Sequence, residues 1–115
     1  MLLGAVAAAI ALGAGSVPPA TGASAVGVGA HEYYYVLSRQ HVSAGPVTVQ
    51  LYNGGEDPHN LKIVNRNGFE FRFGRAQPGQ AITHSVNLSP GRYRLVCTVA
   101  DDAKKGMRGH LRVRR

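Results

Sequence analysis

From residue 33 onward the chain alternates apolar and polar positions with a period of two, which is typical of half-buried β-strands. Val47 to Leu51 and Phe69 to Phe73 show this alternation clearly. The other apolar positions in the pattern are Leu61, Ile63, Val86, Leu88, Tyr93, Leu95, Cys97, Val99, Leu111 and Val113. With an early strand at Tyr33 to Leu37, the pattern predicts about seven strands.

Turn residues separate these runs at short intervals. Gly and Pro pairs at Gly45-Pro46, Pro78-Gly79 and Pro90-Gly91 break the pattern, as do Asn53-Gly54-Gly55 and Asn67-Gly68. The segment from Asp101 to Gly106 is too short for more than one helical turn. We therefore predict a single all-β domain, a Greek-key β-sandwich.

The first 25 residues carry no charged side chain and contain an apolar run, Leu2 to Leu12, of signal-peptide length. Ala23-Ser24-Ala25 has the small-x-small form of a cleavage site, which would make Val26 the first mature residue. A positively charged start is missing, so an uncleaved or lipid-attached anchor stays open. We predict a signal peptide over 1–25 and a domain over 26–115. The domain is expected to be exported, and to be periplasmic, extracellular or attached to the outer face of the membrane.

The formal net charge is +7, and every charged residue lies beyond position 25. This balance predicts an acidic partner, either an acidic redox protein or an anionic cell-envelope surface. The charges are scattered along strands without a nucleic-acid-binding motif, so we expect no nucleic acid partner. We expect a monomer.

Cys97 is the one cysteine, so no disulfide can form within the chain. It is either a small buried hydrophobe or the ligand of a metal or partner. The cysteine lies in a strand pattern, without a helix N-terminus to lower its pKa, and no acidic pair has a catalytic setting. We therefore do not expect an enzyme.

His59 enters a strand directly after a turn, and Cys97 lies near the end of a core strand. Strand ends in a two-sheet sandwich meet at one pole, where Met107 follows in the next loop. Imidazole, thiolate and thioether suit copper better than calcium or magnesium. This convergence therefore predicts a metal site suited to copper.

These pieces resemble the cupredoxins, the type 1 blue copper proteins that include plastocyanin, amicyanin and auracyanin. The likeness runs from AGPVTVQLYNGGEDPHNLKIV through LSPGRYRLVCTVADDAKKGMRGHLRV. It implies a cupredoxin β-sandwich with one copper ion, held by His59 and Cys97 and weakly by axial Met107. It also implies that Asn60 ties the histidine strand to the cysteine loop by hydrogen bonds.

The sequence departs from the family pattern at Asp102, five places after Cys97, where cupredoxins with a loop of this length carry a second histidine ligand. Asp102 could bind copper through a carboxylate oxygen. It could also point outward and leave an open position, or the site could have decayed into a plain core. The sequence leaves these three interpretations open.

The sequence does not identify another histidine as a replacement for the missing second histidine ligand. His110 alternates with Leu111 and should face solvent, whereas His84 shares parity with Val86 and is expected to be a core or edge histidine. His31 and His41 precede the first well-defined strand pair. The expected function is one-electron transfer through an altered type 1 copper site; the alternative is a metal-free module that binds an acidic partner through its basic surface.

Overall fold

The computed structural model describes residues 24–115, which form nine β-strands. The predicted signal segment, 1–25, lies outside these residues except for Ser24 and Ala25. The strands are β1 (Ala25–His31), β2 (Tyr34–Leu37), β3 (His41–Ser43), β4 (Gly45–Asn53), β5 (Lys62–Val64), β6 (Glu70–Arg72), β7 (Ala81–Leu88), β8 (Gly91–Val96) and β9 (Arg108–Arg114). None of the described segments is a helix long and apolar enough to cross a bilayer.

The strands form two sheets, one in the order β2-β1-β4-β7 and the other in the order β3-β9-β8-β5-β6. Most neighbours are antiparallel, but β1 pairs with β4 in parallel and β3 pairs with β9 in parallel. The predicted all-β sandwich is therefore confirmed. The count is nine strands rather than about seven.

The two strands absent from the sequence prediction lack the alternating pattern. β1 reads AVGVGAH, and five consecutive residues of it are buried, so apolar and small residues follow one another without a polar face. It lies between β2 and β4, inside its sheet. β3 has only three residues, too few to show a period.

The core lies between the sheets and is built from the inward positions of the alternating strands. Its largest fully buried side chains include Tyr93, Leu51, Leu61, Ile63 and Leu95. The hydroxyl of Tyr93 donates a hydrogen bond to the Ser89 carbonyl at 2.8 Å, which satisfies its one polar group at the edge of the core.

Strand directions bring the candidate ligands to one end of the second sheet. β5 and β8 are antiparallel, and Lys62, the first residue of β5, pairs with Val96, the last residue of β8. Val96 also pairs with Arg108, the first residue of β9. His59 precedes β5 by three positions, Cys97 follows β8, and Met107 precedes β9, so all three lie at this end.

Candidate metal centre

His59, Cys97 and Asp102 converge on one point, with ligand atoms all within 4.8 Å of one another. The distance from His59 Nδ1 to Asp102 Oδ2 is 3.0 Å, and that from Nδ1 to the Cys97 sulfur is 4.0 Å. The Cys97 thiol donates a hydrogen bond to Asp102 Oδ2 at 3.4 Å. The structure thus joins His59 and Cys97, which the sequence analysis placed at one pole, with Asp102, whose direction it left open.

All three side chains are withdrawn from solvent. The exposed fractions are 0% for His59, 1% for Cys97 and 5% for Asp102. Asp102 therefore points inward, which argues against the interpretation that leaves an open, outward position. A carboxylate is rarely buried without a partner, and here its partners are the imidazole and the thiol.

Met107 is fully buried behind the same loop. Its N–H donates to the Asp102 carbonyl at 3.1 Å, and its carbonyl accepts the N–H of Cys97 at 3.3 Å. These backbone bonds fix the loop between β8 and β9 as a closed turn. The loop holds no helix, in agreement with the sequence prediction for Asp101 to Gly106.

Asn60 and Thr98 clamp the two ligand segments together. The Asn60 side-chain amide donates to Thr98 Oγ1 at 2.7 Å, and the Thr98 N–H donates to Asn60 Oδ1 at 2.8 Å. Each residue directly follows a candidate ligand in the chain. The hydrogen-bonding role that the family resemblance implied for Asn60 is therefore present in the structure.

Burial raises the pKa of the Cys97 thiol above its usual range. The backbone N–H groups of Asn60 and Val99 hydrogen bond the sulfur and oppose the rise, while the neighbouring Asp102 carboxylate adds to it. The same N–H groups would stabilise negative charge on a sulfur bound to a cation. The sulfur therefore lies in a setting that disfavours a free thiolate yet supports a coordinated one.

Glu32 lies on the other side of the His59 ring, and the sequence analysis did not find it. Its Oε2 is 2.5 Å from His59 Nε2. Its two oxygens also accept the N–H groups of Glu56 at 2.8 Å and Asp57 at 3.2 Å. Burial alone would raise the pKa of this carboxyl, but the bonds from Glu56, His59 and Asp57 hold it below its ordinary value.

Tyr35 also contacts the site, although the sequence analysis placed it only in an early strand. Its hydroxyl donates to the Asn60 carbonyl at 2.5 Å. Burial raises the pKa of this phenol, and the nearby Cys97 and Asp102 raise it further. Tyr35 remains a neutral phenol that covers the sulfur side of the cluster.

The remaining histidines lie away from this cluster. His110 is exposed, as its parity with Leu111 predicted. His84 is also exposed, and its ring meets Phe71 and Phe73 edge to face at centroid distances of 5.4 and 4.9 Å. It is an edge histidine. His31 stacks on Tyr34 at 5.0 Å, and His41 is exposed on β3.

The donor set fits one small metal ion. Bonds of about 2.0 to 2.3 Å from nitrogen, oxygen and sulfur to one ion place neighbouring donors roughly 3.3 to 3.8 Å apart. The three donor separations here, 3.0, 3.4 and 4.0 Å, lie around that range. Imidazole and thiolate suit copper, whereas the carboxylate is the harder donor of the set.

Comparison with solved structures shows which known fold the chain shares. Reduced auracyanin from the photosynthetic bacterium Roseiflexus castenholzii matches with a TM-score of 0.67 and 18% identity, over 83% of this chain and 100% of that one. The chain has the cupredoxin fold. A point mutant of amicyanin in its reduced Cu(I) form also matches this chain, with a TM-score of 0.58 and 25% identity over 82% and 84% of the chains.

A third similar structure is a purple cupredoxin from Nitrosopumilus maritimus, with a TM-score of 0.50 and 23% identity over 67% and 80% of the chains. No protein-family model and no curated protein matches this sequence. Solved neighbours at this level of identity show the architecture of this chain.

Proposed function

We propose that this cupredoxin is an exported one-electron carrier with a single copper ion held by His59, Cys97 and Asp102, and by Met107 in a weak axial place. The observation that carries the proposal is the buried cluster of imidazole, thiol and carboxylate. Its fold neighbours include a protein solved with Cu(I), which supports copper as the ion. We do not assign an enzymatic activity.

When bound, copper would supply a centre that changes between Cu(I) and Cu(II). The chain's own contribution is to hold the donors still. Glu32 fixes the His59 ring from Nε2 and leaves Nδ1 facing the sulfur, and Asn60 locks the cysteine strand to the histidine strand. Rigid donors keep the reorganisation small during electron transfer, and Tyr35 with the buried side chain of Met107 keeps water out.

The carboxylate of Asp102 takes the third strong ligand position in this proposal. Its Oδ2 is the atom that faces both His59 Nδ1 and the Cys97 sulfur, so the oxygen already points at the shared centre. A carboxylate is a harder donor than an imidazole and favours Cu(II) over Cu(I). The site would therefore have a lower reduction potential than one with two histidines.

A metal-free cupredoxin that binds an acidic partner is the second candidate. The observation in its favour is that the donors already satisfy one another: in the described part of the chain, every buried side-chain nitrogen and oxygen has a hydrogen-bond partner. A cluster that is complete without an ion needs no metal for stability.

Metal analysis and copper titration separate the two candidates. We expect about one copper per chain after growth in copper-replete medium, and thiolate-to-copper absorption on addition of Cu(II), weaker or altered relative to a blue site. Asp102→His should strengthen this absorption, Asp101→His should leave it unchanged because Asp101 is exposed, and Cys97→Ser should abolish it. Absence of such absorption in both the native protein and Asp102→His would favour the metal-free candidate.

Thiol protection alone does not decide the question. Cys97 is 1% exposed without a metal, so a thiol reagent should react slowly in both cases until the protein unfolds. Copper content and absorption are the informative measurements. Export and an acidic partner, predicted from the first 25 residues and the net charge of +7, belong to the same proposal.

A further inference from the structure

The outward side of β8 and β9 carries a patch of positive charge that we call the arginine face. It consists of Arg92, Arg94, Arg108, His110 and Arg112, all exposed. In the register of the two strands, Arg92 lies directly opposite Arg112, and Arg94 lies directly opposite His110. These residues alternate with the buried Tyr93, Leu95, Leu111 and Val113, so the face follows from strand period.

This arrangement costs folding free energy. Like charges directly opposite on neighbouring strands repel, and opposite charges are the stabilising choice at such positions. Among the described residues, Arg92, Arg94 and Arg112 form no ion pair. The one acidic residue in the strands of this sheet, Glu70 on β6, is paired with Arg72 at 2.6 Å. No ion pair among the described residues therefore offsets the repulsion between Arg92 and Arg112.

The face has grooves of side-chain size. One groove, of about 320 Å³, is lined by Arg94, Val96, Ala103, Arg108 and His110. A second, of about 230 Å³, lies further along the strands and is lined by residues that include Arg66 and Arg92. Planar guanidinium groups beside such grooves can bind carboxylates through two parallel hydrogen bonds, which the ammonium of lysine cannot do.

The arginine face begins next to the metal centre. Arg108 directly follows Met107 and pairs with Val96, which directly precedes Cys97. The Nε of Arg108 donates to the Ala103 carbonyl at 3.2 Å, and Ala103 follows Asp102 in the ligand loop. Met107 is thus one residue away from the face along the backbone, and Cys97 is one residue away from the strand partner of Arg108. Only a few backbone bonds would separate a partner bound there from the candidate ligands.

We propose that the arginine face is the docking surface for an acidic protein, which presents carboxylates to the grooves and exchanges an electron with the centre. This inference rests on the acidic partner of the proposed function; the redox role of that partner also requires the copper centre, whereas the docking itself does not. A membrane surface is the weaker match because stable attachment needs a second signal beside basic residues. The exposed large apolar residues of the described chain, Tyr34 and Val36, lie on β2, in the other sheet.

Nucleic acid is a weaker match as well. Single strands are bound by exposed aromatic rings interleaved with basic residues, and the aromatic residue between Arg92 and Arg94 is Tyr93, which is 1% exposed. Without such stacking, a nucleic acid could contact this face only through its phosphate groups. The grooves and guanidinium groups therefore favour carboxylates on a protein.

The test uses the full domain, a fluorescent poly-glutamate peptide as an acidic-protein probe, and single charge reversals. Arg94→Glu and Arg92→Glu lie in the arginine face, and Arg75→Glu is the control with the same change of net charge, at an exposed position between β6 and β7. We expect the face variants to weaken probe binding about tenfold and the control to weaken it less than about threefold.

Thermal unfolding shows whether a loss of binding is a loss of fold. Arg92→Glu places a carboxylate opposite Arg112, so this variant should unfold at the same temperature as the native protein or higher. Equal loss in the face variants and the control would overturn the proposal. Stronger, face-dependent binding of anionic phospholipid vesicles or of double-stranded DNA would overturn it in favour of that partner.

Copper content separates this proposal from the proposed function. Probe binding is measured on metal-free and copper-treated protein. Face-dependent binding in a protein that never takes up copper would retain the docking surface and remove the electron-transfer role. If Arg94→Glu keeps the thiolate-to-copper absorption of the native protein but loses probe binding, both the docking surface and the copper centre would be supported.

Discussion

The carboxylate of Glu32 lies 2.5 Å from Nε2 of His59, on the side of the ring away from Asp102. His59 is therefore held between two carboxylates, one at each nitrogen. Glu32 comes from the turn between β1 and β2, 27 residues before His59 in the chain. The orientation of the candidate ligand thus depends on a residue from the other sheet.

Replacing Glu32 by Gln should lower the free energy of unfolding by about 1 to 3 kcal/mol. The carboxylate accepts hydrogen bonds from Glu56, Asp57 and His59 together, and an amide of the same shape must turn its NH2 group toward one of these donors. Urea unfolding of the metal-free protein measures this change. The NMR signals of the His59 ring should shift as well.

Glu70→Gln is the control for this substitution. Glu70 pairs with Arg72 on the surface, where both side chains are well exposed, and such pairs add little to stability. It should leave the His59 ring signals unchanged. If Glu32→Gln were no more destabilising than Glu70→Gln, the assignment of Glu32 as a positioning residue would be wrong.

Gly55→Ala should disturb the same contact from the opposite direction. A Cβ at position 55 would overlap Oε2 of Glu32, so the carboxylate would have to move. We expect a loss of about 1 to 3 kcal/mol of stability, measured by urea unfolding. The same substitution should also release the His59 ring from its fixed orientation.

Gly74→Ala provides the comparison because a Cβ there meets no atom within 4 Å. The double variant Glu32→Ala, Gly55→Ala tests the mechanism itself. If the alanine at 55 acts by displacing Glu32, its effect should largely disappear once Glu32 is absent. Additive effects would mean that Gly55 is required for another reason.

Asn60→Ala should destabilise the protein by about 1 to 3 kcal/mol and loosen the cysteine segment. The substitution removes both hydrogen bonds to Thr98 and leaves the Thr98 N–H without its side-chain acceptor. Asn87→Ala, at an exposed position of β7, should change stability by less than about 0.5 kcal/mol. Faster hydrogen exchange at Thr98 in Asn60→Ala alone would identify the clamp.

Asp102→His should raise the reduction potential of the copper-loaded protein. The substitution replaces a hard carboxylate oxygen by an imidazole nitrogen, which favours Cu(I) more than the carboxylate does. A redox titration that follows the thiolate-to-copper absorption measures this, with Asp101→His as the exposed neighbour. An unchanged potential would show that Asp102 does not bind the ion.

The sequence predicted the sandwich and the convergence of His59 and Cys97 because both follow from local signals, whereas it left the direction of the Asp102 side chain open. Period two marks the strands, turn residues mark their ends, and strand ends meet at one pole. β1 was missed because a run of small and apolar residues inside a sheet has no polar face to reveal its period.

Glu32 could not be found in this way. Its role depends on the pairing of β1 with β4, which brings the β1–β2 turn to the loop after β4. No local pattern in the sequence encodes that pairing. Tyr35 was missed for a similar reason, since only the packing of its ring shows that its hydroxyl reaches Asn60.

The parallel pairing of β3 with β9 joins His41 to Arg112, close to opposite ends of the domain sequence. Sandwiches that depend on contacts of such long range fold slowly, in roughly milliseconds to seconds. Glu32, His59 and Cys97 come from three separate stretches, so no short segment assembles the cluster alone. An ion can be captured in this geometry only after nearly the entire polypeptide has reached its native arrangement.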